Sequence, residues 1–242
     1  MRCLLLSLFV VCAVITHAQT YNNLQINSAG GNPFMEDANG RPLYQRQEYR
    51  AEGSPYLFEN YCLAEITAAN GTKYPPLAIK INCLDNHVIY QAADGTEMIA
   101  TTPISEITLY VFDENGHTKE KIILRGTNTA LNTRGAKIYQ VISEGKATLL
   151  KELKMSFIDT KGYGEATTTR TFTLDTHYYA RLNTGENDAP LHKVERSKSG
   201  MIELFNDRQK EIGEYIAREN IKCKSQKEMQ QVFDYYNGLA SK

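Results

Sequence analysis

The sequence predicts an α+β fold that is mainly β: an antiparallel β-meander, either an open barrel or a curved sheet, with a C-terminal helical cap. Apolar and polar residues alternate in short runs across residues 53–124, as in half-buried strands. The pairs Asn70-Gly71, Asp94-Gly95 and Asn115-Gly116 separate those runs and favour type I′ hairpin turns. The apolar period then changes from 2 to 3.6 after about residue 197, and strands followed by helices are typical of α+β proteins.

Residues 1–18 have the pattern of a secretory signal peptide. Arg2 supplies a positive start, and residues 4–15 form an apolar stretch that is too short to span a bilayer. Small residues at Thr16 and Ala18 precede the predicted cleavage site. We therefore expect the protein to be exported, with a retained membrane anchor as the alternative. No later apolar run approaches the length of a membrane helix, so we expect no transmembrane segment in the mature chain.

Three segments follow the predicted cleavage site. Residues 19–52 form a polar N-terminal segment rich in Asn, Gly and Gln, with a short strand predicted at 43–49. Residues 53–188 are predicted to be the antiparallel β domain, and residues 189–242 a helical segment packed on it. Only three cysteines remain after cleavage, and a secreted chain with an odd number is not a disulfide scaffold. The fold must therefore depend on an apolar core.

The first predicted hairpin joins residues 61–68 to residues 77–83. The prolines Pro75-Pro76 cannot donate to a β-ladder, which predicts a bulge or a sheet edge at that point. A tight turn would place Cys62 opposite Ile79, so that no disulfide forms. A longer loop would instead place Cys62 opposite Cys83, where a bridge is possible.

The next two hairpins follow from the other two turn pairs. A two-residue turn at Asp94-Gly95 would set Tyr90 opposite Ile99, and the same arithmetic sets Leu109 opposite Ile122. The alternation predicts that the following residues are buried: Ile79, Ile81, Tyr90, Ile99, Leu109, Ile122 and Leu124.

Further strands are predicted before the helical segment. Residues 136–142 and 146–158 are expected to form a hairpin around Glu144-Gly145, and two short strands are expected at 171–174 and 177–182.

The helical segment opens with a short helix predicted at residues 197–205. Asp207 is expected to cap the following helix, and Ser225 with Glu228 forms the capping box of the last one. The apolar residues of the last two helices recur at helical spacing, as in helices that pack on a core. They are Ile212, Tyr215, Ile216, Met229, Val232, Phe233, Tyr236 and Leu239.

Several short motifs stand out from Gly53 onward. They are Gly53-Ser54-Pro55-Tyr56-Leu57, Ile79-Lys80-Ile81-Asn82, Leu149-Leu150-Lys151, Tyr178-Tyr179, Phe205 with Asp207, Glu211-Ile212 with Tyr215-Ile216, and Tyr235-Tyr236-Asn237. In these motifs the chain resembles a family of uncharacterised secreted proteins of Bacteroidota-type bacteria, β-rich proteins with a helical C-terminus. The resemblance implies a periplasmic or extracellular location in a Gram-negative bacterium. It implies no activity, cofactor or catalytic residue.

Composition and motifs argue against several common functions. The 27 basic and 28 acidic residues nearly cancel, so nothing indicates a nucleic-acid partner or an anionic membrane surface. The sequence lacks G-x-S-x-G, H-E-x-x-H, C-x-x-C, a P-loop and a dinucleotide fingerprint. Its histidines are too far apart in sequence for a local zinc pair. We therefore expect no cofactor and no metal.

Asp175 and His177 are the candidate catalytic residues. Their i, i+2 spacing places both on one strand face, where they could form an acid–base pair or part of a metal site. A surface hydrogen bond is the alternative.

The sequence therefore favours a non-enzymatic binding or interaction module of the cell envelope, with an envelope or extracellular partner or a small ligand. The alternatives are a small-ligand carrier with a β-cup, and an enzyme whose site is assembled only in the fold.

Overall fold

The computed structural model describes most of the chain from residue 40 onward. The described residues are 40–42, 49–92, 94–126, 130–131, 136–182 and 189–240. The predicted signal peptide at 1–18 and most of the polar segment, including nearly all of its strand at 43–49, lie outside the described residues.

The described strands form a single sheet. They are β1 (Gly40–Pro42), β2 (Tyr49–Glu52), β3 (Cys62–Ala68), β4 (Lys73–Asn82), β5 (His87–Gln91), β6 (Glu97–Ala100), β7 (Ile104–Phe112), β8 (Thr118–Arg125), β9 (Ile138–Ser143), β10 (Ala147–Thr160), β11 (Thr168–Leu182) and β12 (Leu191–Lys193). Their order is β1-β6-β5-β4-β3-β7-β8-β9-β10-β11-β12, and β2 pairs in parallel with β11. The other pairings are antiparallel, which confirms the predicted fold class.

Strand β3 is the point from which the sheet grows in both directions. Strands β3 to β6 form one meander, and β7 then returns to the other side of β3 and begins a second meander that ends at β12. The path from β1 to β12 does not close on itself, so the sheet is open. The stretch with the strongest hairpin signals therefore supplies the consecutive sheet positions from β6 to β8.

The three glycine turns differ from the predicted type I′ geometry. Gly71, Gly95 and Gly116 have φ of +84°, +85° and +80°, but the residue before each of them does not have a positive φ. In the last turn the Gly116 N–H donates to the Asp113 carbonyl, and the Asp113 N–H donates to the His117 carbonyl. The other two turns repeat this pattern. Each connection is therefore one residue longer than a two-residue type I′ hairpin loop and ends on a left-handed glycine.

The longer loop shifts the strand register by one residue. Tyr90 lies opposite Met98, so its predicted pairing with Ile99 was wrong. Leu109 nevertheless lies opposite Ile122, as predicted, because a register shift between the turn and this pair restores the alignment.

The first hairpin contains the predicted bulge. Its register shifts between Ala64 and Ile66, opposite Pro75-Pro76, which confirms the interpretation of the prolines. This shift restores the alignment, and Cys62 lies opposite Ile79. All three cysteines in the described part of the chain are free thiols, so the disulfide alternative is excluded there.

The apolar face of the sheet forms the main core. All seven residues predicted to be buried are at most 8% exposed. Six of them belong to one cluster, together with residues such as Ile104 and Leu153. Ile99 is buried outside that cluster, because the shifted register places Met98 beside Tyr90 instead.

Strands β10 and β11 are longer than predicted. The two short strands expected at 171–174 and 177–182 are one continuous strand. The β10–β11 ladder runs without a break from the pair Ala147–Leu182 to the pair Thr160–Thr169. The polar residues between the two predicted strands therefore do not interrupt the strand, because β10 supplies their backbone partners.

The helices follow the last strand. They are α1 (Lys198–Leu204), a 3-10 turn (Asn206–Arg208), α2 (Gln209–Arg218) and α3 (Gln226–Ala240). Ser197 caps α1 by accepting a hydrogen bond from the Gly200 N–H. The predicted Ser225–Glu228 capping box before α3 is confirmed.

The prediction that Asp207 caps the second helix was wrong. The N-cap position of α2 is Arg208, which makes no side-chain cap. Asp207 lies in the 3-10 turn, and its carboxylate accepts hydrogen bonds from the Tyr236 hydroxyl and the Lys146 ammonium. The carboxylate therefore ties the turn to α3 and to the β9–β10 connection rather than to the start of α2.

The helices cover the β9–β11 end of the sheet. Ala147, Leu149, Tyr178 and Ala180 on β10 and β11 form a second core cluster with the apolar stripes of the helices. Phe233 of α3 is fully buried in this cluster. The apolar stripes predicted from the sequence thus pack on the sheet and on one another.

Candidate ligand-binding groove

A groove of about 470 Å³ lies beside strands β10, β11 and β12. The β4–β5 turn and the residues that lead into β9 form its other walls. Its lining residues are Cys83, Leu84, Asn86, Ala136, Lys137, Glu152, Leu153, Lys154, Met155, His177, Tyr179 and Lys193. This volume lies within the usual range for small-molecule sites.

Glu152 forms the polar centre of the groove. The β-ladders place it opposite Tyr139 on β9 and opposite His177 on β11. Its side chain is only 6% exposed. A buried carboxylate is costly unless it is paired, so its partners define the site.

Three neighbours surround the Glu152 carboxylate. The Lys137 Nζ lies 2.9 Å from Oε1, and the His177 Nδ1 lies 3.9 Å from Oε2. The Tyr179 phenol lies near enough for the charge of the same carboxylate to help raise its pKa. The cluster therefore gathers a cation, an imidazole and a phenol around one buried acid.

The same contacts fix the protonation of two of these groups. The hydrogen bond with Glu152 raises the pKa of the Lys137 ammonium. Burial, reinforced by the Glu152 charge, raises the pKa of the Tyr179 phenol. Both groups thus stay protonated at neutral pH.

Aromatic packing supports this cluster from one side. Tyr139 is 2% exposed, and its ring contacts the Tyr179 ring edge-on at a centroid distance of 5.8 Å. Such contacts hold both rings in place. The packing against Tyr139 therefore fixes the position of the Tyr179 ring beside Glu152.

The structure places the two predicted catalytic residues in different surroundings. His177 lines the groove, and its side chain is 44% exposed. Asp175 is not among the lining residues, and it accepts a hydrogen bond from the Ser156 hydroxyl at 2.8 Å. Among the described residues, no hydrogen bond or ion pair joins Asp175 to His177, and the acid beside the imidazole is Glu152 instead.

Cys83 is the thiol that lines the groove. It is 2% exposed, and burial raises its pKa to about 12. The thiolate is the nucleophilic form of cysteine, and this environment suppresses it at neutral pH. Cys83 therefore contributes packing to the groove wall.

Sequence reasoning missed Glu152 and Lys137. The available signal was the one acid of β10 between Ala147 and Met155, a stretch that is buried on both faces along much of its length although it also carries Lys151 and Lys154. An acid in such a strand needs partners from neighbouring strands. The sequence alone does not name those partners, because the strand register brings them together.

The described residues lack two other functional features. They contain no group of three or more His, Cys, Asp or Glu side chains that could hold a metal ion. None of their helices combines the length and the apolar character that crossing a membrane requires. Comparisons of the chain with protein-family models, curated proteins and solved structures find no match.

Proposed function

We propose that this chain is an exported, non-enzymatic binding module, and that a small ligand occupies the groove around Glu152. The observation that carries the proposal is the convergence of Lys137, His177 and Tyr179 on one nearly buried carboxylate in a groove of ligand size. A concave site with a few convergent polar groups is typical of small-molecule recognition. Export rests on the predicted signal peptide, and an envelope location rests on the family resemblance.

The pairing within the groove favours binding over catalysis. The Glu152 carboxylate is already paired with Lys137, so it is poorly placed to take a proton from a substrate. The Cys83 thiol stays protonated at neutral pH. Asp175 is hydrogen-bonded to Ser156, away from the lining of the groove. A fixed and satisfied polar network supplies rigid recognition rather than a reactive group.

The carrier alternative, with a ligand inside the curvature of the sheet, receives less support. The apolar face of the sheet is filled by its own side chains and by the helices, including Ile79, Leu109 and Leu149. The proposed ligand site therefore lies beside the core and not within it.

A pair of histidine variants tests the proposal. His177→Trp would place a bulky ring in the groove, whereas His117→Trp makes the same substitution at the β7–β8 turn, where the side chain is 81% exposed. We expect a ligand-observed NMR screen of anionic, neutral and cationic metabolites to give hits with the wild-type chain. Those hits should be lost in His177→Trp and kept in His117→Trp.

Two outcomes would contradict the groove as the ligand site. One is hits that bind His177→Trp as well as they bind the wild type. The other is the absence of hits in all three chemical classes. Circular dichroism of both variants shows whether each keeps the β-rich fold.

A further inference from the structure

The charges that line the groove are unequal. Lys137, Lys154 and Lys193 line it together with a single carboxylate, that of Glu152. Lys137 is paired with that carboxylate. Within the described part of the chain, Lys154 and Lys193 have no ion-pair partner, and both are exposed.

The strand register places these two lysines on either side of β11. Lys154 lies on β10 opposite Asp175, and Lys193 lies on β12 opposite Tyr179. The Asp175 carboxylate is hydrogen-bonded to Ser156, and it does not line the groove. The two free ammonium groups therefore flank the polar floor formed by His177 and Tyr179.

The buried acid does not cancel this excess of positive charge. Glu152 is shielded from solvent, and Lys137 balances its charge. An anion that enters the groove would meet two ammonium groups, and charge-assisted hydrogen bonds to such groups are among the stronger polar contacts. A cation would meet the same two groups and be repelled.

We infer, resting on the proposed function, that the ligand of the groove is a small organic oxyanion with carboxylate or phosphate-ester groups. Its charged groups would lie between Lys154 and Lys193, and its body would lie against His177 and Tyr179. The volume of about 470 Å³ suits a molecule of the size of a sugar phosphate or a dicarboxylic acid.

Calorimetric titration at 150 mM NaCl tests this inference. The probes are glucose 6-phosphate as the phosphate ester, succinate as the dicarboxylate, and glucose as the neutral control. We expect at least one of the two anions to bind and glucose not to bind. Lys154→Gln/Lys193→Gln should weaken the binding by about tenfold or more, because it removes two charge-assisted contacts.

Lys119→Gln/Lys210→Gln is the matched control. It removes the same two positive charges from exposed positions on β8 and α2, and it should leave the affinity for the anion unchanged. Equal weakening by both double variants would overturn the inference, because it would mean that only net charge matters. Which of the two anions binds distinguishes a phosphate ester from a carboxylate.

The remaining outcomes separate this inference from the proposed function. If neutral or cationic compounds bind and His177→Trp abolishes their binding, the groove is a ligand site but the oxyanion inference fails. If anions bind equally well to His177→Trp, both fail, because the anion site then lies elsewhere.

Discussion

Gly116 has a left-handed backbone conformation and Gly238 a helical one, so substitution by alanine should change the stability of the fold in opposite directions at the two positions. Gly116 has φ +80° and Gly238 lies within α3, and a β-carbon at either position meets nothing within 4 Å. Gly116→Ala should destabilise the fold by about 1–2 kcal/mol through backbone strain alone. Gly238→Ala should stabilise it by about 0.5–1 kcal/mol, because alanine loses less entropy in a helix. Urea unfolding measures both, and shifts of the same sign would contradict the expectation.

Glu228 should make stability depend on acid pH. Its carboxylate accepts backbone hydrogen bonds from Ser225, Lys222 and Lys224, which lower its pKa from 4.5 to about 2. A carboxylate with a depressed pKa stabilises the fold above its unfolded pKa, and that contribution is lost as the pH falls to the folded pKa. Glu228→Gln should therefore be less stable than the wild type at pH 7.

The measurement is urea unfolding at several pH values. The difference between Glu228→Gln and the wild type should shrink as the pH falls from about 4.5 to about 2. Glu203→Gln, at an exposed position of α1, is the control and should show no such trend. A difference that stayed constant across this window would rule out the carboxylate as its source.

The surroundings of Glu152 show which part of the site cannot be predicted from the sequence. Its partners come from two parts of the chain, since Lys137 precedes β9 whereas His177 and Tyr179 both lie on β11. His177 was found because it is a histidine near an acid in sequence. The acid that it faces in the fold is Glu152, on the neighbouring strand, and not Asp175.

At the scale of elements, Asn237 of α3 joins the helix to the β9–β10 hairpin. Its amide Oδ1 accepts from the Ala147 N–H at 2.8 Å, and its Nδ2 donates to the Ala147 carbonyl at 2.9 Å. Ala147 is fully buried, so loss of the amide leaves two buried backbone groups without these partners. Asn237→Ala should therefore cost about 1–3 kcal/mol of stability.

Asn237→Asp is the informative comparison. It keeps an acceptor for the Ala147 N–H but removes the donor to the Ala147 carbonyl, and it sets a carboxylate against that oxygen. We expect it to destabilise the chain as well, more strongly at pH 7 than at pH 3, where the acid is protonated and can donate. Thermal unfolding at both pH values gives the comparison, and a variant as stable as the wild type at pH 7 would refute the role of the amide.

The register of neighbouring strands explains which hairpins and residue pairings could be predicted from the sequence and which could not. Alternation and turn residues located the hairpins and the buried residues, because both signals are local. Each three-residue loop shifts the strand register by one residue, and a bulge can shift it back. The bulge at Pro75-Pro76 does so and restores the predicted pairing of Cys62 with Ile79. Strands β5 and β6 have no such bulge, so Tyr90 does not lie opposite Ile99. Strand β11 looked like two strands because its continuity depends on pairing with β10, which the alternation within residues 171–182 does not show.

At the scale of the whole molecule, one sheet contributes residues to two hydrophobic cores. One cluster lies within the apolar face around Ile79, Leu109 and Leu124, and the other lies where the helices cover β10 and β11. The groove lies against strands that the helices help to order, so the helices matter to the proposed site although none of its lining residues belongs to them.

Deleting residues 197–242 should therefore destabilise the sheet rather than release an independent module. Leu149, Tyr178 and Ala180 would lose their cover, and burial of a large apolar side chain contributes about 1.5–3 kcal/mol. Helices this short are marginal in isolation and owe their stability to packing. We expect the truncated chain to bind a hydrophobic dye, to associate on size-exclusion chromatography and to melt at a lower temperature than the full chain.

Phe233→Ala provides the graded comparison within the full chain. Phe233 is fully buried, and its ring contacts the Phe205 ring edge-on at a centroid distance of 5.0 Å. The substitution should cost about 3–5 kcal/mol. If the helices stabilise the sheet, loss of this one ring should lower the melting temperature of the whole chain in a single transition, because the two cores share strand β10. A monomeric truncation with unchanged thermal stability, or a variant that melts in two steps with the sheet unaffected, would show that the helices fold as a separate module.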